Sequence, residues 1–196
     1  MVPLRRKPDA TGRLRAVLAL HEERESCAAL LAAVDDPSLD VARAALERLA
    51  RVGCAREAEA LRERLFAVDI GLAPDCARAL RALGDRESTA VASVRLADPL
   101  PSIRKTAALV LRELADPSAR EAPCAALADP NASVRVSVID ALARLPTDDA
   151  TLTAIGELLH DADSTVRASA VDAVARLVTA PGSTLSNIVD DPSPKV

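Results

Sequence analysis

The sequence predicts an all-α fold, a right-handed solenoid of about five stacked helical hairpins plus a partial sixth. Three observations carry that expectation. First, a phrase recurs in register. Asp98-Pro99-Leu100-Pro101-Ser102-Ile103-Arg104 returns as Asp129-Pro130-Asn131-Ala132-Ser133-Val134-Arg135 and as Asp161-Ala162-Asp163-Ser164-Thr165-Val166-Arg167, with the Asp positions 31 and then 32 residues apart. Self-similarity at a period of this length marks a repeat architecture. Second, the chain is 49% hydrophobic but 1% aromatic, with no Trp, no Tyr and the single Phe66, so its core is built from Ala, Leu and Val. Those side chains suit closely packed helices, and Ala and Leu are also strong helix formers. Third, only six Gly and no useful run of alternating apolar and polar residues argue against a sheet.

The elements follow in order. Asp36-Pro37-Ser38-Leu39-Asp40-Val41-Ala42-Arg43 is an older copy with its Arg one place late. Asp69 to Leu83 is a worn copy, with Gly71 and Ala73 where the phrase should stand, which predicts a local change of curvature. The expected organisation is a basic tail over residues 1–13, a repeat solenoid over 14–178 and a partial sixth repeat or C-terminal tail over 179–196. In that last stretch Leu185 to Val189 reads as a short first helix and Asp190 to Val196 repeats the inter-helix phrase. It reads either as the start of a further unit or as a worn cap.

Each unit is expected to hold two helices. In the fourth, residues 119–128 form the first and 133–145 the second. Proline lacks an amide proton and disfavours helix at the residue before it, so Pro37, Pro99 and Pro130 end the first helix at one place in each copy. Ser102, Ser133, Thr165 and Asp40 are expected to satisfy free amides at the second helix start. Val134, Val138, Ala141, Leu142 and Leu145 fall on one stripe, repeated by Val166, Ala170, Ala173, Val174 and Leu177. One hairpin cannot bury such a stripe alone, so neighbouring units must stack.

This pattern resembles the HEAT-repeat family, and more narrowly its short-unit subclass named after the phycobilisome lyases. The likeness spans about residues 14–192 and rests on the Asp-Pro-x-x-x-[Val/Ile]-Arg phrase followed by a small-residue apolar helix. The resemblance implies that the Asp and Arg of the phrase form a hydrogen-bonded ladder between adjacent units, which makes Asp98/Arg104, Asp129/Arg135 and Asp161/Arg167 structural. Tetratricopeptide units need Trp and Tyr, which this chain lacks, and the ankyrin Thr-Pro-Leu-His phrase is absent.

Net charge −4 and a pI near 5.3 argue against a generic nucleic-acid partner, since that binding rests on a basic face. A local basic cluster, Arg5, Arg6, Lys7, Arg13 and Arg15, reads as a solvated tail or as a flank beside a membrane anchor. No apolar run reaches the roughly 18 residues of a membrane span, so no direct insertion is expected. Cys27, Cys54, Cys76 and Cys124 fit no zinc or redox spacing and read as small buried apolar residues. With no such apolar run and no signal-peptide h-region the expected location is cytoplasmic, and the cysteine usage suits a reducing compartment.

No catalytic constellation is legible, and no cofactor or metal is expected. The two histidines are His21, beside Glu22, and His160, beside Asp161. The di-iron site of the HEAT-like hydroxylases needs several His-Glu pairs, and one is present. HEAT-like DNA glycosylases need aromatic stacking surfaces and a basic groove, which this composition does not supply. No Gly-x-Ser-x-Gly turn or glycine-rich phosphate loop occurs.

The expected function is therefore that of a non-enzymatic interaction scaffold or regulatory adaptor, binding another protein or peptide segment along the concave second-helix face. The stripe opposite the core there carries Lys105, Leu109, Arg112, Val136, Asp140, Arg144, Asp172 and Arg176. The arginines either answer the helix dipole and pair with Asp140 and Asp172 four residues earlier, or meet an acidic or amphipathic partner. The alternatives are a bilin lyase-like or chromophore chaperone subunit, and the soluble part of a membrane-tethered scaffold. An unfinished sixth unit would leave apolar surface at the C-terminal face, which predicts a homodimer through it.

Overall fold

The computed structural model describes residues 9–20, 26–67, 70–146 and 148–179. Arg5, Arg6, Lys7, the His21-Glu22 pair, Asp69 and the sixth half-unit with its expected dimer face lie outside them. The described residues are helical, with no strand among them. The all-α expectation is borne out. The chain divides into two compact units, Met1–Ser88 and Thr89–Val196.

The first unit contains α1 (Ala10–Ala19), α2 (Cys27–Ala33), α3 (Leu39–Val52), α4 (Ala58–Arg64) and α5 (Ala73–Ala82). Helix α6 (Glu87–Arg95) begins at the end of the first unit and continues into the second. The second unit continues with α7 (Pro101–Leu114), α8 (Glu121–Ala126), α9 (Ala132–Leu142), α10 (Asp149–Glu157) and α11 (Ser164–Thr179). Long helices alternate with short ones. In the first unit α3 packs between α1 and α5, and in the second α9 packs between α7 and α11. The cores are those of the predicted stripes. Leu30, Leu46, Leu49, Leu61, Leu65 and Leu80 are fully buried in the first unit, and Val134, Val138, Ile139, Leu142, Ile155 and Val166 in the second.

The first helix differs from the expected tail. Helix α1 starts at Ala10, capped by Asp9, whose carboxylate accepts from the Gly12 amide at 2.7 Å. It packs on α3 as a second helix would, so Arg13 and Arg15 belong to a helix.

The recurring phrase is a turn device. In each regular copy the Asp carboxylate accepts the amide two residues on: Asp36 from Ser38, Asp98 from Leu100, Asp129 from Asn131 and Asp161 from Asp163, at 2.8–3.0 Å. A second such turn is interleaved in two copies, where Asn131 accepts from Ser133 and Asp163 from Thr165. This corrects the expected caps. Ser133 and Thr165 donate their amides to the capping residue two places earlier, the position where a short polar side chain can reach them. The buried hydroxyls of Thr106 and Ser137 in turn donate to the Ser102 and Ser133 carbonyls at 2.9 and 3.0 Å, which satisfies them inside the helix.

Arg104 and Arg135 form rungs of the ladder, each reaching forward to the Asp of the following copy, while Arg167 donates to the carbonyls of its own Asp161 and Ala162. Arg104 grips Asp129 with two parallel bonds of 2.6 and 2.9 Å, and Arg135 grips Asp161 at 2.9 and 2.6 Å. Each also donates to the carbonyl of its own phrase Asp, Arg104 to Asp98 at 3.0 Å and Arg135 to Asp129 at 2.8 Å. In the first unit Arg13 makes the same fork to Asp36, at 2.7 and 3.1 Å. The worn copy is repaired by a substitute. Asp75, in the first turn of α5, is buried and receives Arg43 at 3.1 Å, with Arg78 as a second partner.

These carboxylates hold their protons weakly. The guanidinium bonds from Arg13, Arg104 and Arg135 keep Asp36, Asp129 and Asp161 below the ordinary Asp value, against the opposing pull of burial. A pKa lower in the folded than in the unfolded state adds stability above the unfolded value, lost as pH falls through the folded ones. The urea midpoint followed by circular dichroism should therefore hold from neutral pH to about pH 4 and drop steeply below it. A midpoint that stays level at lower pH would contradict the ladder.

Two helices end in left-handed residues. Gly53 closes α3 at φ 75°, and Ala115 closes α7 at φ 49°. Glycine adopts that region freely, whereas alanine is strained there by Cβ contact with the backbone. Ala115→Gly should raise stability by about 0.5–1 kcal/mol, read as a higher thermal midpoint.

Candidate functional site

The expected binding face lies in the second unit, on helices α7, α9 and α11. Four of its eight residues meet in one network. Arg112 of α7 donates through Nη1 to Asp140 of α9 at 2.8 Å, and through Nε and Nη2 to Glu113 at 3.1 and 2.8 Å. The other Asp140 oxygen lies 3.5 Å from Arg176 of α11, which also pairs with Asp172 at 3.2 Å. Asp140 thus links the three long helices. The Asp140 carboxylate is the main cause that raises the Arg112 pKa, with Glu113 adding to it and burial opposing.

This arrangement differs from the sequence expectation at one pair. Asp140 was expected to hold Arg144 four residues later, and it holds Arg112 and Arg176 of the neighbouring helices instead. The reason is local. Helix α9 ends at Leu142, and its last turn tightens so that the Arg144 amide bonds the Ala141 carbonyl. Arg144 has left the helical register that would bring it over Asp140.

The other four residues are not joined to the network. Lys105 and Arg144 are exposed, with no side-chain hydrogen bond or ion pair among the described residues. Leu109 and Val136 are half-buried on α7 and α9, one helical turn before Glu113 and Asp140 respectively. The expected face therefore holds two cations without a partner among the described residues, an ionic chain of two arginines and three carboxylates, and two apolar side chains.

The cysteines depart furthest from expectation. Cys27 and Cys54 are joined in a disulfide with Cα atoms 5.6 Å apart, whereas Cys76 and Cys124 are free. Cys76 matches its expectation as a buried filler, and burial pushes its thiol up to about 12. A usable signal for the disulfide was present: Cys27 opens the first helix of a hairpin and Cys54 follows the second, and antiparallel helices bring those two ends together.

Comparison with known proteins bears on the fold. Residues 88–175 match the HEAT repeats family. That stretch covers α7 to α10 and most of α6 and α11, the part of the chain with the most regular phrases. Among solved structures, a crystallised engineered protein is similar at TM-score 0.51 and 19% identity, covering 86% of this chain and 84% of its own. A second engineered protein matches at TM-score 0.50 and 20% identity, covering 92% of this chain and 54% of its own. A designed armadillo repeat protein, solved with the peptide (KR)4, matches at TM-score 0.49 and 15% identity, over 87% of this chain and 95% of its own. No curated protein matches. Among the described residues no helix is long and apolar enough to cross a membrane.

Proposed function

We propose that the chain is a non-enzymatic interaction scaffold whose second unit holds an acidic or amphipathic segment of another protein along α7, α9 and α11. The observation that carries this reading is that Lys105 and Arg144 are exposed with no side-chain partner among the described residues, while Leu109 and Val136 on the same helices are half-buried. A partner carboxylate near either cation would gain an ion pair without breaking one, and an apolar side chain of the partner would cover Leu109 and Val136. Arg112, Asp140, Asp172 and Arg176 set the spacing of the helices beneath, with Arg176 and Asp172 exposed at the rim. The regular HEAT-like stretch supports the reading, because stacked hairpins present extended surfaces of this kind.

The test is affinity capture with the chain and a Lys105→Glu/Arg144→Glu variant as baits. A partner retained by the first and released by the second, with unchanged circular dichroism, is the expected result. Equal retention would move binding to another face. The Cys27–Cys54 bond removes the cysteine usage as support for a reducing compartment.

A further inference from the structure

The α2–α3 hairpin carries a chemical grouping that neither the ladder nor the binding face uses. Cys27 opens α2, and Cys54 follows Gly53, the left-handed residue that ends α3. Both cysteines are buried, yet they line a surface depression together with Gly53, Ala55, Arg56 and Glu57. The two sulfurs and a carboxylate oxygen of Glu57 all lie within 4.8 Å of one another. Glu57 is half-buried, and its carboxylate has no hydrogen bond or ion pair among the described residues. A disulfide that served only as a staple would gain nothing from an unpaired carboxylate at its side. Lining the depression beside the two sulfurs, that carboxylate is placed where a cation could meet all three.

We propose that Cys27, Cys54 and Glu57 form a redox-gated metal site, closed as a disulfide and, once reduced, offering three ligands to a Zn2+-like cation. The chemistry balances with a dithiol as reductant. The dithiol delivers two electrons and two protons to the S–S bond, which opens to two thiols while the reductant closes into its own disulfide. The cation takes both sulfurs as thiolates, releases their two protons to solvent, and gains the Glu57 carboxylate as third ligand. Water from the depression completes a tetrahedron. Tetrahedral zinc–sulfur bonds set the two sulfurs roughly 3.8 Å apart, a separation that rotation about the Cα–Cβ bonds supplies without moving the helices. Two soft thiolates select Zn2+ over Mg2+ or Ca2+, which prefer oxygen ligands.

The experiment uses the full chain in a Cys76→Ala/Cys124→Ala background, so that only Cys27 and Cys54 carry sulfur chemistry. Oxidised and dithiol-reduced protein, freed of reductant, are titrated with Co2+ as the spectroscopic probe and then with Zn2+. The reduced form should show thiolate-to-cobalt charge-transfer absorption saturating at one equivalent and displaced by Zn2+, and the oxidised form should show none. Glu57→Gln should weaken Zn2+ binding at least about tenfold while still forming the disulfide. A band absent from the reduced chain, a band surviving Cys27→Ser, or unchanged affinity in Glu57→Gln would each overturn the proposal. If reduction lowers the helical signal, Zn2+ must restore it, and failure to do so overturns the proposal as well.

Discussion

Asp129→Ala should destabilise the second unit by about 3 kcal/mol, far more than removal of an exposed charge. Asp129 is buried, and one carboxylate serves three groups: two guanidinium nitrogens of Arg104 and the amide of Asn131. Its loss strands a cation and a helix-start amide together, and desolvated groups left without partners account for most of the cost. Arg95→Ala is the control, because its pair with Asp98 is half-exposed and worth little. Thermal unfolding should place the Asp129→Ala midpoint roughly 10–20 °C below the parent and the Arg95→Ala midpoint close to it. Equal midpoints for the two would mean that the ladder decorates the fold without supporting it.

The second large effect belongs to the first unit. Replacing Cys27 and Cys54 together by Ser should cost about 3 kcal/mol, because the bond closes a loop spanning 27 residues and restricts the unfolded chain. Hydrogen exchange locates the effect. Amide protection in α2 and α3 should fall in the double variant, while protection in α9 should not change. Mass analysis of the parent protein alkylated in denaturant supplies the direct check, since two of its four cysteines should resist alkylation until a reductant is added.

The fold was legible because the same phrase recurs in register, so each copy reinforces the others. Core positions such as Val138, Leu142 and Ala170 could be read from helical spacing, and the structure buries them. Connections between copies were harder to read. The family resemblance implied that Arg104 and Asp129 belong to a ladder without saying that the arginine reaches forward, which depends on how one hairpin lies on the next. Asp75 escaped notice because it sits where no phrase stands, and burial beside Arg43 is a tertiary fact. The pairing of Asp140 with Arg112 and Arg176 likewise depends on neighbouring helices, which outcompeted the local partner Arg144 once α9 had ended.

The forked arginine of each rung has a mechanical consequence. Arg104 and Arg135 each bond two carboxylate oxygens ahead and a carbonyl behind, so they resist both separation and rotation between adjacent long helices. The Asp140 network ties the same helices nearer their C-terminal ends. The two lines of ion pairs act as separate tendons on α7, α9 and α11, one better shielded from solvent than the other. Added salt slackens the exposed tendon first, because mobile ions screen it more effectively. Rising ionic strength should therefore loosen the second unit first toward the C-terminal ends of its long helices, while the shielded rungs at their starts hold.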